Sequence, residues 1–80
     1  MNNEIEQTKN FIYNFIKKYN VNVGASLPEQ PFSMLVWNAS PVVKNNIASA
    51  IDELINQGIL SEKNNSYYLT EEGYRQIYLW

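Results

Sequence analysis

Four polar residues near the middle of the chain have side chains suited to recognising another molecule. They are Lys44, Asn45, Asn46 and Ser49, which together offer hydrogen-bond donors, acceptors and one cation. Two adjacent asparagines are poor helix formers that gain nothing from exposure alone, which favours a binding role. The alternative, that all four are ordinary solvated residues of a surface helix, stays open. The chemistry in question is recognition by hydrogen bonds rather than the breaking of covalent bonds.

Composition argues against an enzyme. The chain has no histidine and no cysteine, which removes imidazole catalysis, thiolate chemistry, disulfides and nearly every zinc site. There is no phosphate-binding glycine loop, and Glu71 and Glu72 are better explained as the start of a helix, where the helix dipole favours negative charge. We therefore expect no catalytic residue, no cofactor and no metal site.

The four polar residues belong to a predicted helix, 41–57. Ser40 can cap free backbone amides, and Pro41 suits the first helical position because an N–H group there would have no partner. Gly58 follows where a left-handed residue is expected to end the helix. The apolar residues recur at steps of three and four and should face the core: Val43, Ile47, Ala50, Ile51 and Leu54. The polar side consists of Lys44, Asn45, Asn46, Ser49, Asp52, Glu53 and Asn56.

A two-stranded hairpin is predicted directly after this helix, over residues 59–70. Segments 59–62 and 67–70 are the expected strands, and the polar tip between them is Lys63, Asn64, Asn65 and Ser66. Asparagine is the non-glycine residue that best tolerates the positive φ of a tight turn. Thr70 then offers a second N-cap, ahead of a last helix that we expect to extend to Trp80.

The first half of the chain is predicted to supply two further helices. Helix 3–19 carries an apolar stripe made of Ile5, Phe11, Ile12, Phe15, Ile16 and Tyr19. Residues 21–23 alternate as a short strand would, residues 24–31 form a connector with two prolines and a glycine, and residues 32–37 suit a short helix. The expected fold class is α+β and mostly helical, in a single domain over residues 1–80.

The order of these elements and two short motifs resemble a known family. The motifs are Gly58-Ile59-Leu60 after the central helix and Tyr68-Leu69-Thr70-Glu71-Glu72-Gly73 at the end of the hairpin. With the preceding helix, they resemble the winged-helix (winged helix-turn-helix) DNA-binding domains of bacterial regulators, including the MarR- and PadR-like groups. The resemblance covers about half of the chain and implies three to four helices with a two-stranded β-hairpin wing.

The resemblance also implies a function, transcription regulation through double-stranded DNA. Helix 41–57 would correspond to the recognition helix, whose exposed residues enter the major groove: Lys44, Asn45, Asn46 and Ser49. Asparagine can form two hydrogen bonds to adenine, and lysine can reach guanine or phosphate. The wing would contact DNA through Lys63, Asn64 and Asn65.

Self-association is a further expectation. The last helix displays more large apolar groups than one stripe of a small domain can bury: Tyr74, Ile77, Tyr78, Leu79 and Trp80. We expect a homodimer interface that contains Tyr74, Tyr78 and Trp80, and the resemblance implies a dimer as well.

Charge opposes the DNA-binding interpretation. The formal net charge is −2, and from Ser40 onward the chain has three basic and five acidic side chains. Lysine and arginine supply most non-specific affinity for DNA. The alternative function is therefore a non-catalytic protein-protein interaction module that binds a protein partner through its aromatic last helix.

The remaining expectation concerns location. The N-terminal residues include acids and no apolar run, and the longest apolar stretch, 34–37, is too short to cross a bilayer. We therefore expect a cytoplasmic protein without a membrane partner.

Overall fold

The computed structural model of the chain describes residues 3–79. The described residues form four helices and one two-stranded antiparallel sheet, so the expected α+β, mostly helical class is confirmed. In chain order the elements are α1 (Asn3–Lys18), α2 (Glu29–Trp37), α3 (Pro41–Asn56), β1 (Leu60–Lys63), β2 (Ser66–Leu69) and α4 (Glu71–Tyr74), which continues as a π-helical segment (Arg75–Leu79).

The predicted start and end of α3 are confirmed. The Ser40 hydroxyl accepts a hydrogen bond from the Val43 N–H at 3.4 Å, and Pro41 occupies the first helical position. Gly58 has a φ of +79°. Its N–H donates to Ile55 O, while the Ile59 N–H donates to Leu54 O. This pair of bonds is a Schellman motif, which satisfies carbonyl groups that the helix itself leaves unpaired.

The hairpin is confirmed, with its strands one residue closer to the tip than predicted. Leu60 pairs with Leu69, and Lys63 pairs with Ser66. The tip is therefore two residues long, Asn64 and Asn65, whose φ angles are +53° and +65°. A two-residue turn with both central residues at positive φ matches the right-handed twist of paired strands, and asparagine tolerates that conformation.

Thr70 fixes the start of α4 against the end of α3. Its hydroxyl oxygen accepts a hydrogen bond from the Gly73 N–H at 2.9 Å, as the sequence predicted for an N-cap. The same hydroxyl donates to the carbonyl oxygen of Gly58 at 2.6 Å. One side chain therefore caps the last helix and connects it to the turn that precedes the hairpin.

The prediction of a strand over residues 21–23 is wrong. The segment that lies beside the hairpin is 24–27, in which Ser26 forms a bridge with Tyr68. The Gly24 N–H donates to Leu69 O and the Leu27 N–H donates to Tyr67 O, both at 2.8 Å. Residues 21–23 are not extended alongside the hairpin, because the Val21 N–H donates a hydrogen bond to Ile16 O at the end of α1.

The second helix is longer than predicted. It begins at Glu29 rather than at residue 32, so that Pro31 lies within its first turn. Proline is tolerated there because the first backbone N–H groups of a helix have no partner within the helix. The connector is correspondingly shorter and ends at Pro28, which precedes α2 in an extended conformation.

The core lies between α1, α3, the hairpin and the π-helical segment. Its buried residues are Ile12, Phe15, Ile16, Val21, Leu27, Ala50, Ile51, Leu54, Ile59, Leu60, Leu69 and Ile77. Three residues of the predicted apolar faces are not fully buried. Phe11 of α1 is half-buried at the edge of the core. Ile47 is only half-buried because it lies at the boundary between α3 and α2, and Tyr19 is exposed because α1 ends at Lys18 and the chain turns away.

Candidate functional site

A groove of about 600 Å³ lies between α2, α3 and the hairpin, and is called here the α2–α3 groove. One wall is formed by Phe32, Val36 and Trp37 of α2. The opposite wall is formed by Lys44, Ile47 and Ile51 of α3, and the hairpin contributes Asn65, Ser66 and Tyr67. The groove is thus largely apolar, with a few polar groups at its edges, which is the usual composition of a binding site.

The two ends of the groove differ in charge. The short connection 38–40 keeps Trp37 and Lys44 together at one end, where the Lys44 ammonium is 5.4 Å from the centroid of the Trp37 ring. At the other end lies Glu29, the first residue of α2. It is close to the hairpin, because Leu27, two residues earlier in the chain, donates a backbone hydrogen bond to Tyr67. With a rise of 1.5 Å per residue, about 12 Å separates the backbones of Glu29 and Trp37.

Two of the residues predicted to bind DNA lie on the solvent side of α3. Asn45 and Ser49 are exposed, and their spacing of four residues places them on the same side of the helix. Lys44 is exposed as well but borders the groove. Asp52 is exposed one turn after Ser49. The outer side of α3 therefore presents amide and hydroxyl groups first and a carboxylate further along.

Asn46 is oriented differently from its neighbour Asn45. It is half-buried, and its side-chain amide donates to Val42 O at 2.8 Å and to the Glu4 carboxylate at 3.5 Å. These bonds hold Asn46 on the side of α3 that faces α1. The structure does not bring Asn46 together with Asn45 and Ser49.

The hairpin residues of the predicted site are divided between two surfaces. Asn65 borders the α2–α3 groove, whereas Lys63 and Asn64 line a separate shallow depression together with Gly24 and Tyr68. Side chains alternate between the two faces of a strand, which explains why Lys63 and Tyr67 are on different faces of the sheet. Lys44 and Lys63 therefore do not share one pocket.

Several acidic side chains are engaged away from the exposed side of α3. Lys9 of α1 is only 5% exposed and forms ion pairs with Glu53 at 2.5 Å and Glu6 at 3.5 Å. The hydrogen bond from Lys9 to Glu53 raises the lysine pKa, although burial opposes that shift. At the other end of the chain, Glu72 lies 3.8 Å from Arg75. Among residues 3–79, no carboxylate is within ion-pair distance of Lys44 or Lys63.

The predicted dimer residues are placed mostly within the fold. The rings of Tyr74 and Tyr78 are stacked with centroids 4.6 Å apart, and both side chains are half-buried. The Tyr78 hydroxyl lies 2.9 Å from Ile16 O and 3.0 Å from Val21 O, at the end of α1. Burial, followed by the neighbouring Tyr74, raises the pKa of Tyr78. Leu79 is exposed, and Trp80 lies outside the described residues.

The surface that sequence reasoning missed is the outer face of α2. Met34 is 65% and Trp37 77% exposed. A signal for this was present, because α2 is apolar around most of its circumference and a helix at the edge of a small domain cannot bury every side. The hydrogen bonds of Tyr78 had no comparable signal, since their partners are more than fifty residues away in the sequence.

Within residues 3–79, no group of three or more acidic, histidine or cysteine side chains is placed to hold a metal ion. No helix of this described part is long and apolar enough to cross a membrane. No family model, curated protein or solved structure matches the chain.

Proposed function

We propose that this chain is a winged-helix protein that binds duplex DNA and acts in transcription regulation. The observation that supports the proposal is the outer side of the N-terminal half of α3, where Lys44, Asn45 and Ser49 are exposed and the first turn has no acidic residue. A capped helix with an exposed polar start, followed directly by a hairpin, is the arrangement with which winged-helix proteins enter the major groove.

In this proposal each polar residue has a separate role. Asn45 is suited to bidentate hydrogen bonding with adenine, and Ser49 can contact either a base or a phosphate. Lys44 and Lys63 supply positive charge to the backbone. Asn46 contributes less than the sequence predicts, because its amide already donates to Val42 and Glu4.

The distribution of acids makes the proposal compatible with a net charge of −2. Glu53 follows Asp52 on α3 but turns toward α1, where Lys9 neutralises it. Asp52 remains on the exposed side, where its carboxylate repels DNA phosphates. With few cations in contact, we expect modest affinity and a shallow dependence on salt.

The test is fluorescence anisotropy with a duplex selected from a random library and with a scrambled duplex, over about 50–200 mM salt. Asn45→Ala should reduce discrimination by about 1–3 kcal/mol at one base pair, and Asn46→Ala should have a smaller effect. Lys63→Ala should weaken both duplexes alike and reduce the salt slope by about one. Absence of binding to either duplex at the lowest salt would refute the proposal, since electrostatic attraction is strongest there.

A second candidate function is a protein-protein interaction module. The α2–α3 groove favours it, because an exposed Trp37 beside a largely apolar depression is typical of a protein-binding surface. The last helix, which the sequence suggested for this role, has Tyr74 and Tyr78 packed against its own domain. Failure to bind duplex DNA combined with an association that depends on Trp37 would favour this second function.

A further inference from the structure

We propose that the α2–α3 groove binds a second copy of the same chain, in a two-fold dimer. In this dimer, Trp37 of each copy fills the hairpin end of the groove of the other. The proposal does not depend on DNA binding, and it uses a different surface from the Tyr74, Tyr78 and Trp80 interface that the sequence suggested.

The first argument is shape. Trp37 is 77% exposed and borders the groove directly, so its ring projects beside the depression. A two-fold contact requires that the same surface carry both the projecting group and the depression that receives it. The groove, at about 600 Å³, is within the range that encloses most of a drug-sized molecule, so it has room for an indole ring.

The second argument is charge. Lys44 lies at the Trp37 end of the groove, and Glu29 lies at the hairpin end. A two-fold axis through the middle of the groove reverses its direction in the second copy. Lys44 of each copy then faces Glu29 of the other, whereas a parallel arrangement would place like charges together. A second copy therefore presents charges that are complementary to those at both ends of the groove.

The dimer also explains the exposure of Trp37 on α2. Large aromatic side chains at a protein surface mark an interface when they border an apolar depression, and tryptophan is among the residues that contribute most to such interfaces. Lys44 and Asn65 border the same groove. If the proposed DNA interface also uses them, a dimer of this kind and duplex DNA compete for one surface.

The experiment is sedimentation equilibrium of the full chain from micromolar to millimolar concentration, without DNA. The wild type should show a concentration-dependent dimer, and Trp37→Ala should weaken it about thirtyfold or more, the effect of a residue central to an interface. Leu79→Ala is the matched control, because Leu79 is exposed on the last helix. It should leave the dimer constant unchanged. Circular-dichroism melts verify that both variants fold.

Charge exchange tests the two-fold arrangement itself. Lys44→Glu and Glu29→Lys should each weaken self-association, while an equimolar mixture of the two variants should form a heterodimer with the wild-type constant. A monomer at every concentration would overturn the proposal. So would a dimer that is sensitive to Leu79→Ala but not to Trp37→Ala, or single charge variants that associate as the wild type does. Because DNA is absent, none of these outcomes bears on duplex binding.

Discussion

The ammonium group of Lys9 and the carboxylate of Glu53 form an ion pair across the interface between α1 and α3. These two helices have the most extensive mutual contact in the described fold, and Lys9 is only 5% exposed. Removing the carboxylate leaves a covered cation with only Glu6 as a partner. The pair therefore couples the stability of the domain to the position of α3, which carries the candidate site.

Glu53→Ala should lower the unfolding free energy by about 1–3 kcal/mol. This is less than the loss of about 3–5 kcal/mol expected for a fully buried pair, because Glu53 is partly exposed and Glu6 remains. Lys9→Met should cost less, since it removes the cation and keeps the packing. Urea unfolding measures both variants. Asp52→Ala, at the neighbouring exposed position, should change stability by less than about 0.5 kcal/mol, and an equal effect of both alanine variants would contradict the role of the pair.

Stability should decline as the pH rises above about 10. The pKa of Lys9 is raised chiefly by its hydrogen bond to Glu53, and the pKa values of Tyr13 and Tyr78 are raised chiefly by burial. A folded pKa above the unfolded one adds stability that is complete below the unfolded pKa and is lost as the pH passes the folded pKa. The urea midpoint from pH 8 to pH 12 is the measurement.

Tyr78→Phe provides the control for this alkaline transition. The variant removes one of the titrating groups and the hydroxyl donor near Ile16 and Val21, so it should be less stable at pH 8 by about 1–3 kcal/mol and should decline less steeply above pH 10. Tyr68→Phe should leave the stability at pH 8 nearly unchanged, because within residues 3–79 the Tyr68 hydroxyl has no hydrogen-bond partner. A wild-type midpoint that stays constant throughout would show that these groups do not contribute.

Gly73→Ala should be strongly destabilising, by about 3 kcal/mol, the upper end of the usual cost of overpacking. A methyl group on Gly73 would collide with the backbone oxygen of Ile59 and lie 2.9 Å from Leu69 Cδ1. Gly58→Ala is the comparison, because the space around Gly58 is open and only its positive φ resists substitution, at about 1–2 kcal/mol. Thermal melts of both variants show which substitution costs more stability. A smaller loss at Gly73 would mean that α4 can move away from the hairpin.

Leu54 and Ile47, which have similar positions in the sequence pattern of α3, should respond differently to substitution. Leu54 is completely buried, so Leu54→Ala should cost about 2–5 kcal/mol. Ile47 borders the α2–α3 groove and is half-buried, so Ile47→Ala should cost about 1–2 kcal/mol. Equal losses in chemical denaturation would show that Ile47 is enclosed in solution.

The helix ends and the turn around α3 and the hairpin were determined by the sequence itself. Ser40 with Pro41, Gly58, the Asn64-Asn65 tip and Thr70 all occur where the local pattern predicts them. Each depends on the φ angle of one residue or on a hydrogen bond to a backbone group within a few residues, so its cause is contained in a short stretch of sequence. The α+β class follows from these signals together with the helical spacing of the apolar residues.

Tertiary structure decided which surfaces those elements present. Asn45 and Asn46 have the same side chain and adjacent positions. Asn46 faces α1 and is held there by hydrogen bonds, whereas Asn45 is exposed. Pairing of segment 24–27 with the hairpin, the contact of Tyr78 with Val21, and the exposure of Trp37 each depend on groups far apart in the chain. Local pattern cannot specify them, because burial and hydrogen bonding at such positions are fixed only once the helices and the hairpin have packed together.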